Sequence, residues 1–165
     1  MDCRQKIIPL VDLAAWRQTV RATGKRLVVT NGCFDLLHAG HVNYLEAARN
    51  QGDLLLVGVN SDESVRGLKG EGRPLNPEMD RAVVVAALEA VTAVCVFPEL
   101  RATRFLAVAQ PDIYVKGGDY TVESLDAEER QTVEKAGGRI VILPLTPGKS
   151  TSSLVNRIAG PSAPQ

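Results

Sequence analysis

The residues best equipped for chemistry sit in one short stretch. Asn31-Gly32-Cys33-Phe34-Asp35-Leu36-Leu37-His38-Ala39-Gly40-His41 follows an apolar run, Leu27 to Val29, and precedes a helical pattern. Strand, tight loop and helix start is the order expected where an open parallel sheet binds ligands, beyond the carboxyl end of a strand. The free N–H groups and dipole of a helix start favour an anion, typically a phosphate. Gly40 carries no side chain where a phosphate would approach the backbone. His38 and His41, the only histidines of the chain, add two imidazoles three residues apart. The plainer reading is a pair of polar residues beside a helix cap. A metal is a third reading, but no further ligand is obvious, and Cys3, Cys33 and Cys95 lack zinc spacing.

A second polar cluster lies near the other end, at Gly148-Lys149-Ser150-Thr151-Ser152. A P-loop would need glycine at position 143, where Leu143 stands, so that reading fails. What remains is a run of hydroxyls at a predicted helix start. Ordinary N-capping explains them if they act alone. Facing the His segment, they could hold the far phosphates of a nucleotide. Between the two clusters, Ser64 to Pro74 carries Gly67, Gly70 and Gly72 among charged side chains. This reads as a mobile loop, and a solvated surface loop is the commoner meaning of such composition. A cation on it, Lys69, could close over a bound polyphosphate. Gly70-Glu71-Gly72 begins a dinucleotide-like pattern, but Leu75 takes the place of its last glycine.

Helical and strand patterns alternate around these clusters. Val11 to Arg21 has helical spacing and ends at Thr23-Gly24. Strands are expected at 26–30, 54–59, 93–97, 113–115 and 139–143. Further helices are expected at 41–50, from Asn76-Pro77-Glu78 to about Ala90, at 100–109, from an Asp126–Glu129 capping box to Gly137, and at 151–158. The alternation predicts an α/β fold, a Rossmann-like three-layer α/β/α sandwich with a mainly parallel five-stranded sheet. One domain should occupy 1–165, with its core at about 26–158, an N-terminal helix at 11–23 and a frayed tail at 160–165. Hydrophobic residues make up 45% and charged residues 23%, an ordinary globular balance. Lys+Arg and Asp+Glu are both 19, which argues against a broad nucleic-acid footprint. No long uncharged apolar segment or signal-like leader stands out, and three unpatterned cysteines suit a reducing compartment. The expectation is a cytoplasmic chain with no membrane or nucleic-acid partner.

Gly32 to His41 resembles the signature of the cytidylyltransferase-like nucleotidyltransferases, and Gly148 to Ser152 resembles their second phosphate-binding motif. Val59-Asn60-Ser61-Asp62, Leu68-Lys69-Gly70 and Val115-Lys116-Gly117-Gly118-Asp119-Tyr120 are similar to one branch, the D-glycero-β-D-manno-heptose 1-phosphate adenylyltransferases. That branch is found alone or fused to a sugar kinase, and the similarity runs from about residue 6 to 158. The resemblance implies transfer of AMP from ATP, with Mg²⁺, to heptose 1-phosphate, giving ADP-heptose for lipopolysaccharide core synthesis. A sugar phosphate oxygen is already ionised near neutral pH, so the site needs charge neutralisation and alignment more than a general base.

By the same resemblance, His38, His41 and Lys69 are catalytic. Asn31, Gly32, Cys33, Phe34, Gly40, Lys116, Gly117, Ser150, Thr151 and Ser152 bind the nucleotide. Asp35, Asp62, Arg73, Arg81 and Asp119 are candidates for the acceptor side, although a surface role competes for each. For Arg81 the competitor is an ion pair with Glu78. No metal is held by the protein itself; Mg²⁺ arrives on the phosphates. The broad family usually has Thr where Cys33 stands, and Cys33 agrees with the heptose branch. Cytidylyl members carry an arginine where this chain has Leu145, and an acidic pair near Val91-Thr92-Ala93. Both departures favour ATP over CTP. Rival readings are a glycerol-3-phosphate cytidylyltransferase, an FAD synthetase-like enzyme, and a non-catalytic nucleotide-binding module of a partner kinase. A homo-oligomer, in the simplest case a dimer, is the expected assembly.

Overall fold

The computed structural model describes residues 2–118, 121–144, 147–148 and 150–159. Five strands run in chain order: β1 (Leu27–Gly32), β2 (Leu54–Asn60), β3 (Ala93–Phe97), β4 (Ile113–Gly117) and β5 (Arg139–Leu143). They form one sheet in the order β3-β2-β1-β4-β5, and every described pairing is parallel. The helices are α1 (Leu13–Ala22), α2 (Ala39–Arg49), α3 (Asp62–Lys69), α4 (Glu78–Ala86), α5 (Thr103–Ala109), α6 (Ala127–Lys135) and α7 (Thr151–Ala159).

Side chains alternate across each strand, so the sheet feeds two cores. Leu27, Val29, Leu56, Cys95, Phe97 and Tyr114 pack with Leu13 and Val20 of α1, Phe105 and Leu106 of α5, and Val133 of α6. Val28, Leu55, Val57, Val59, Val94 and Val115 pack with Leu45 and Ala48 of α2 and Ala82 and Val85 of α4. Helices therefore cover both faces, which is why the strands read as unbroken apolar runs. Gly58 is required by this packing: a Cβ there would lie 2.7 Å from the Phe105 ring.

The strand order reverses between β1 and β4, the two strands at which ligands are expected to sit in such a sheet. Their register pairs Val28 with Ile113 and Val29 with Tyr114. Past those pairs the carboxyl ends, Asn31-Gly32 and Lys116-Gly117, form the walls of a crevice.

One expected loop is a helix. Residues 62–69 form α3, where the glycine-rich composition suggested mobile loop. Ser61 caps it by accepting the Ser64 N–H at 3.2 Å, and Asp62 and Glu63 lie in its first turn with Lys69 in its last. Gly67 sits inside the helix because Leu100 packs against it; a Cβ would meet that side chain at 2.6 Å. Gly70, at φ 88°, ends it. Two caps also differ from expectation. The helix expected from Asn76-Pro77 starts at Glu78, and the Asn76 side chain donates to the Asp35 carbonyl instead. Asp126 caps α6 through the N–H groups of Glu128 and Glu129, but the Glu129 side chain points away to other partners. The helix expected from residue 100 begins at Thr103.

Candidate active site

At the switch point lies a cavity of about 420 Å³. Asn31 to Asp35 come from the end of β1, His38, Gly40, His41 and Tyr44 from the start of α2, Lys69 and Arg73 from the end of α3 and beyond, Lys116 and Gly117 from β4, and Ser150 and Thr151 from the start of α7. The two polar clusters, more than a hundred residues apart in sequence, therefore share one cavity. They also touch: the Thr151 hydroxyl donates to the Leu36 carbonyl at 3.2 Å.

The two imidazoles are stacked, with ring centroids 4.0 Å apart and planes 27° from parallel. The His38 backbone N–H donates to His41 Nδ1 at 3.3 Å. Burial, with His38 alongside, pulls the His41 pKa down to about 4. His41 is therefore neutral at physiological pH. Because Nδ1 accepts, its one ring hydrogen is on Nε2, which makes that nitrogen a donor. The Phe34 ring lies 5.6 Å from His41 and against Gly32, whose absent Cβ would be 3.0 Å from it. Gly32 is thus needed by Phe34, which itself sits at φ 47°. Burial raises the Cys33 thiol above its ordinary pKa, so it stays protonated near neutrality.

Among the described residues, the carboxylates near the crevice are engaged. Asp35, 4% exposed, accepts the Leu75 and Asn76 N–H groups at 2.8 and 3.0 Å and Arg73 Nε at 2.7 Å. Its carboxylate fastens the 73–76 segment to the His loop, the kind of local role that competes with an acceptor contact for this residue. Arg81 does not face the cavity. It is 2% exposed and donates to Asp62 Oδ1 at 2.7 Å, the Cys33 carbonyl at 2.6 Å and the Asn76 carbonyl at 2.9 Å. It braces the loops behind the cavity, and its carboxylate partner is Asp62 instead of Glu78. Asp62, tied to Arg81, also lies off the cavity wall, as does the exposed Ser152. Ser150 accepts the Ser153 N–H at 3.1 Å, an N-capping bond. Asp119, Lys149 and Leu145, and the tail at 160–165, lie outside the described residues.

Sequence reasoning missed Tyr44, Tyr114 and Glu129. Tyr44 lines the cavity three residues after His41, and that helical spacing was the available signal. Its hydroxyl donates to the Val115 carbonyl at 3.1 Å, so Thr30 must give its own hydrogen to Tyr44 across their 2.7 Å contact. Burial pushes the Tyr44 pKa up to about 12.

The family pattern described as cytidylyltransferase-like matches residues 29–156, a span that contains every residue lining this cavity. The chain belongs to the cytidylyltransferase-like family. By that membership it is a nucleotidyltransferase, the class its sequence motifs resemble. Its similarity to "Bifunctional protein HldE" of Geotalea uraniireducens is 50% identity, covering 95% of this chain and 32% of that protein. With the protein of the same name from Pelobacter propionicus it is 49% identical over 88% of this chain and 30% of the other. The chain thus spans about a third of the length of the curated relatives it matches. Among solved structures, a lipopolysaccharide core biosynthesis protein from Thermoplasma volcanium aligns with TM-score 0.62 and 28% identity, covering 74% of this chain and 98% of that one. A pantoate-β-alanine ligase from Francisella tularensis aligns with TM-score 0.58 at 12% identity, over 88% of this chain and 68% of the other, a likeness of fold alone. Among the described residues, no helix is long and apolar enough to cross a membrane.

Proposed function

We propose that this nucleotidyltransferase moves AMP from ATP to D-glycero-β-D-manno-heptose 1-phosphate, releasing pyrophosphate and giving ADP-heptose for lipopolysaccharide core synthesis. The observation that carries the reading is the shared cavity, with stacked imidazoles on one side and the Ser150–Thr151 helix start on the other. A triphosphate laid between them would have its α-phosphate near the histidines and its far phosphates near α7. Both relatives at about half identity carry the name HldE, and the Thermoplasma structure is of a lipopolysaccharide core biosynthesis protein; both names support this substrate class.

In the proposed reaction a phosphate oxygen of the sugar attacks the α-phosphorus in line. A new P–O bond forms as the bond to the bridging oxygen breaks, and pyrophosphate carries the electron pair away. No proton need be removed from the nucleophile. His41 Nε2–H and His38 donate to α-phosphate oxygens as charge builds, and Lys69 neutralises the leaving group from the end of α3. Ser150, Thr151 and the N–H groups at the start of α7 hold the far phosphates. Magnesium enters with the substrate. Among the described residues the carboxylate on the cavity wall is Asp35, which is used by Arg73, Leu75 and Asn76, so the ion would be held chiefly by the phosphates it arrives on and would supply charge neutralisation there.

Pyrophosphate release measured with ATP or CTP, crossed with heptose 1-phosphate, glycerol 3-phosphate and FMN, tests the proposal. Turnover only with ATP and the heptose phosphate is the expected result. A preference for CTP or for another acceptor would reassign the substrate. Tight ATP binding with every acceptor silent would make the chain a non-catalytic nucleotide-binding module.

A further inference from the structure

A buried polar chain runs from the far face of the sheet to the cavity wall. Tyr114, on β4, is 0% exposed and lies in the core under α1, α5 and α6. Its hydroxyl lies 2.7 Å from Asn31 Oδ1 and 3.1 Å from Glu129 Oε2. Glu129, 6% exposed, accepts the Ala102 N–H through its other oxygen at 2.8 Å. Lys116 Nζ stands 3.3 Å from the same Asn31 oxygen and 3.8 Å from Glu129. Asn31 and Lys116 both line the cavity; Tyr114 and Glu129 do not.

The donor inventory fixes the Asn31 amide. An ammonium only donates, so the atom facing Lys116 is the carbonyl oxygen. The NH₂ end is then free, and among the described residues no acceptor takes it. A half-turn of the amide would set NH₂ against an ammonium and withdraw the oxygen from both partners. Packing alone would be served by phenylalanine at 114, since burying a hydroxyl and a carboxylate costs desolvation unless their bonds are used. Burial and the neighbouring Glu129 hold the Tyr114 pKa well above its ordinary value, so the hydroxyl keeps its hydrogen.

We propose that Tyr114 and Glu129 are positioning residues for the nucleotide, acting through the Asn31 amide and the Lys116 ammonium. This rests on the function proposed above. It adds that affinity for the nucleotide depends on two groups that never touch it.

The test uses the full chain and four variants: Tyr114→Phe, Glu129→Gln, Asn31→Ala, and Tyr114→Phe combined with Asn31→Ala. Calorimetric titration with magnesium ATP gives Kd, and pyrophosphate release gives KM and kcat. Tyr114→Phe should raise Kd and KM for ATP up to about tenfold, the upper end of the net worth of one neutral hydrogen bond, and change kcat much less. If Tyr114 works through Asn31, the double variant should match Asn31→Ala alone. A merely structural role would instead multiply the two single effects. Multiplied effects, or a Tyr114→Phe protein with wild-type Kd and KM, would overturn the proposal. Should Tyr114→Phe fail to fold, Glu129→Gln combined with Lys116→Ala supplies the comparison, because Glu129 faces Lys116: the pair should match Lys116→Ala alone, and multiplied effects would overturn the proposal. A wild-type chain that neither binds ATP nor releases pyrophosphate would instead strike at the function itself.

Discussion

Asp35→Ala separates two roles for the carboxylate at the cavity mouth. Sequence reasoning made Asp35 a candidate for the acceptor side with a structural role competing; in the structure its oxygens accept from Arg73 Nε and the N–H groups of Leu75 and Asn76. The side chains of Asp35 and Arg73 are 2% and 18% exposed, so the pair is little screened by water. Removing one partner of such a pair leaves the guanidinium and two N–H groups without their acceptor, a loss of about 3–5 kcal/mol. A domain of this size shifts about 2–4 °C per kcal/mol, so Asp35→Ala should melt ~6–20 °C lower. Asp35→Asn keeps one acceptor oxygen but loses the charge facing Arg73, and should fall between. Thermal unfolding followed by circular dichroism measures both. An alanine variant that melts within about 2 °C of wild type would refute the bracing role. If that variant also showed a raised KM for the sugar phosphate alone, the direct contact would be reinstated.

Three further outcomes are expected. His38→Ala combined with His41→Ala should still bind ATP in calorimetry while turnover falls by at least about 10²–10³, the usual cost of one such donor; full turnover would remove both imidazoles from the mechanism. Lys69→Ala should lower kcat/KM by a similar ~10²–10³ with an unchanged melting temperature, because Lys69 is exposed and has no ion-pair partner among the described residues; a lowered melting point with normal kinetics would contradict this. The third concerns pH. The unfolded chain protonates His41 near 6.5, whereas the folded chain does so at about 4. The stability owed to the neutral ring is therefore complete above pH 6.5 and is lost as pH falls toward 4. His41→Asn removes that titration, so the stability of wild type relative to the variant should decline between neutrality and about pH 4.5. Urea midpoints at both pH values check this, and a constant difference would refute it.

What was legible in the sequence, and what was not, follows from the range of the interactions. The five strands announce themselves because burial on both faces demands unbroken apolar runs such as Leu54 to Val59. The His segment is legible because strand, glycine and helix start are local events. Helix α3 was hidden by Gly67, whose missing side chain is explained only by Leu100, thirty-three residues away. Arg81 looked like a ligand for substrate because a lone arginine on a helix carries no mark of burial; its three acceptors come from three segments, the loop after β1, the start of α3 and the loop before α4. Glu129 fitted a capping box by spacing, yet the Ala102 N–H and the Tyr114 hydroxyl hold its side chain elsewhere. Patterns of hydrophobicity report which element forms, and they are silent on which buried polar group answers another.

The cations around the cavity divide by how they are held, and that division bears on rate. Arg73 is bound to Asp35, and Lys116 is held between Asn31 and Glu129. These charges are fixed before any substrate arrives. The same holds for the His41 donor, whose hydrogen is set by the His38 N–H. Fixed donors stabilise developing charge without reorganising at the moment of reaction, which is where electrostatic catalysis has its advantage. They are also partly neutralised, so they cannot alone balance a triphosphate. In the proposed reaction the remaining charge would come from Lys69, at the exposed end of α3, immediately before Gly70 and Gly72, both at positive φ. Beyond that bend, Leu75 and Asn76 are fastened again to Asp35. The two positive-φ glycines thus stand between Lys69, which has no ion-pair partner among the described residues, and the attachment at Asp35.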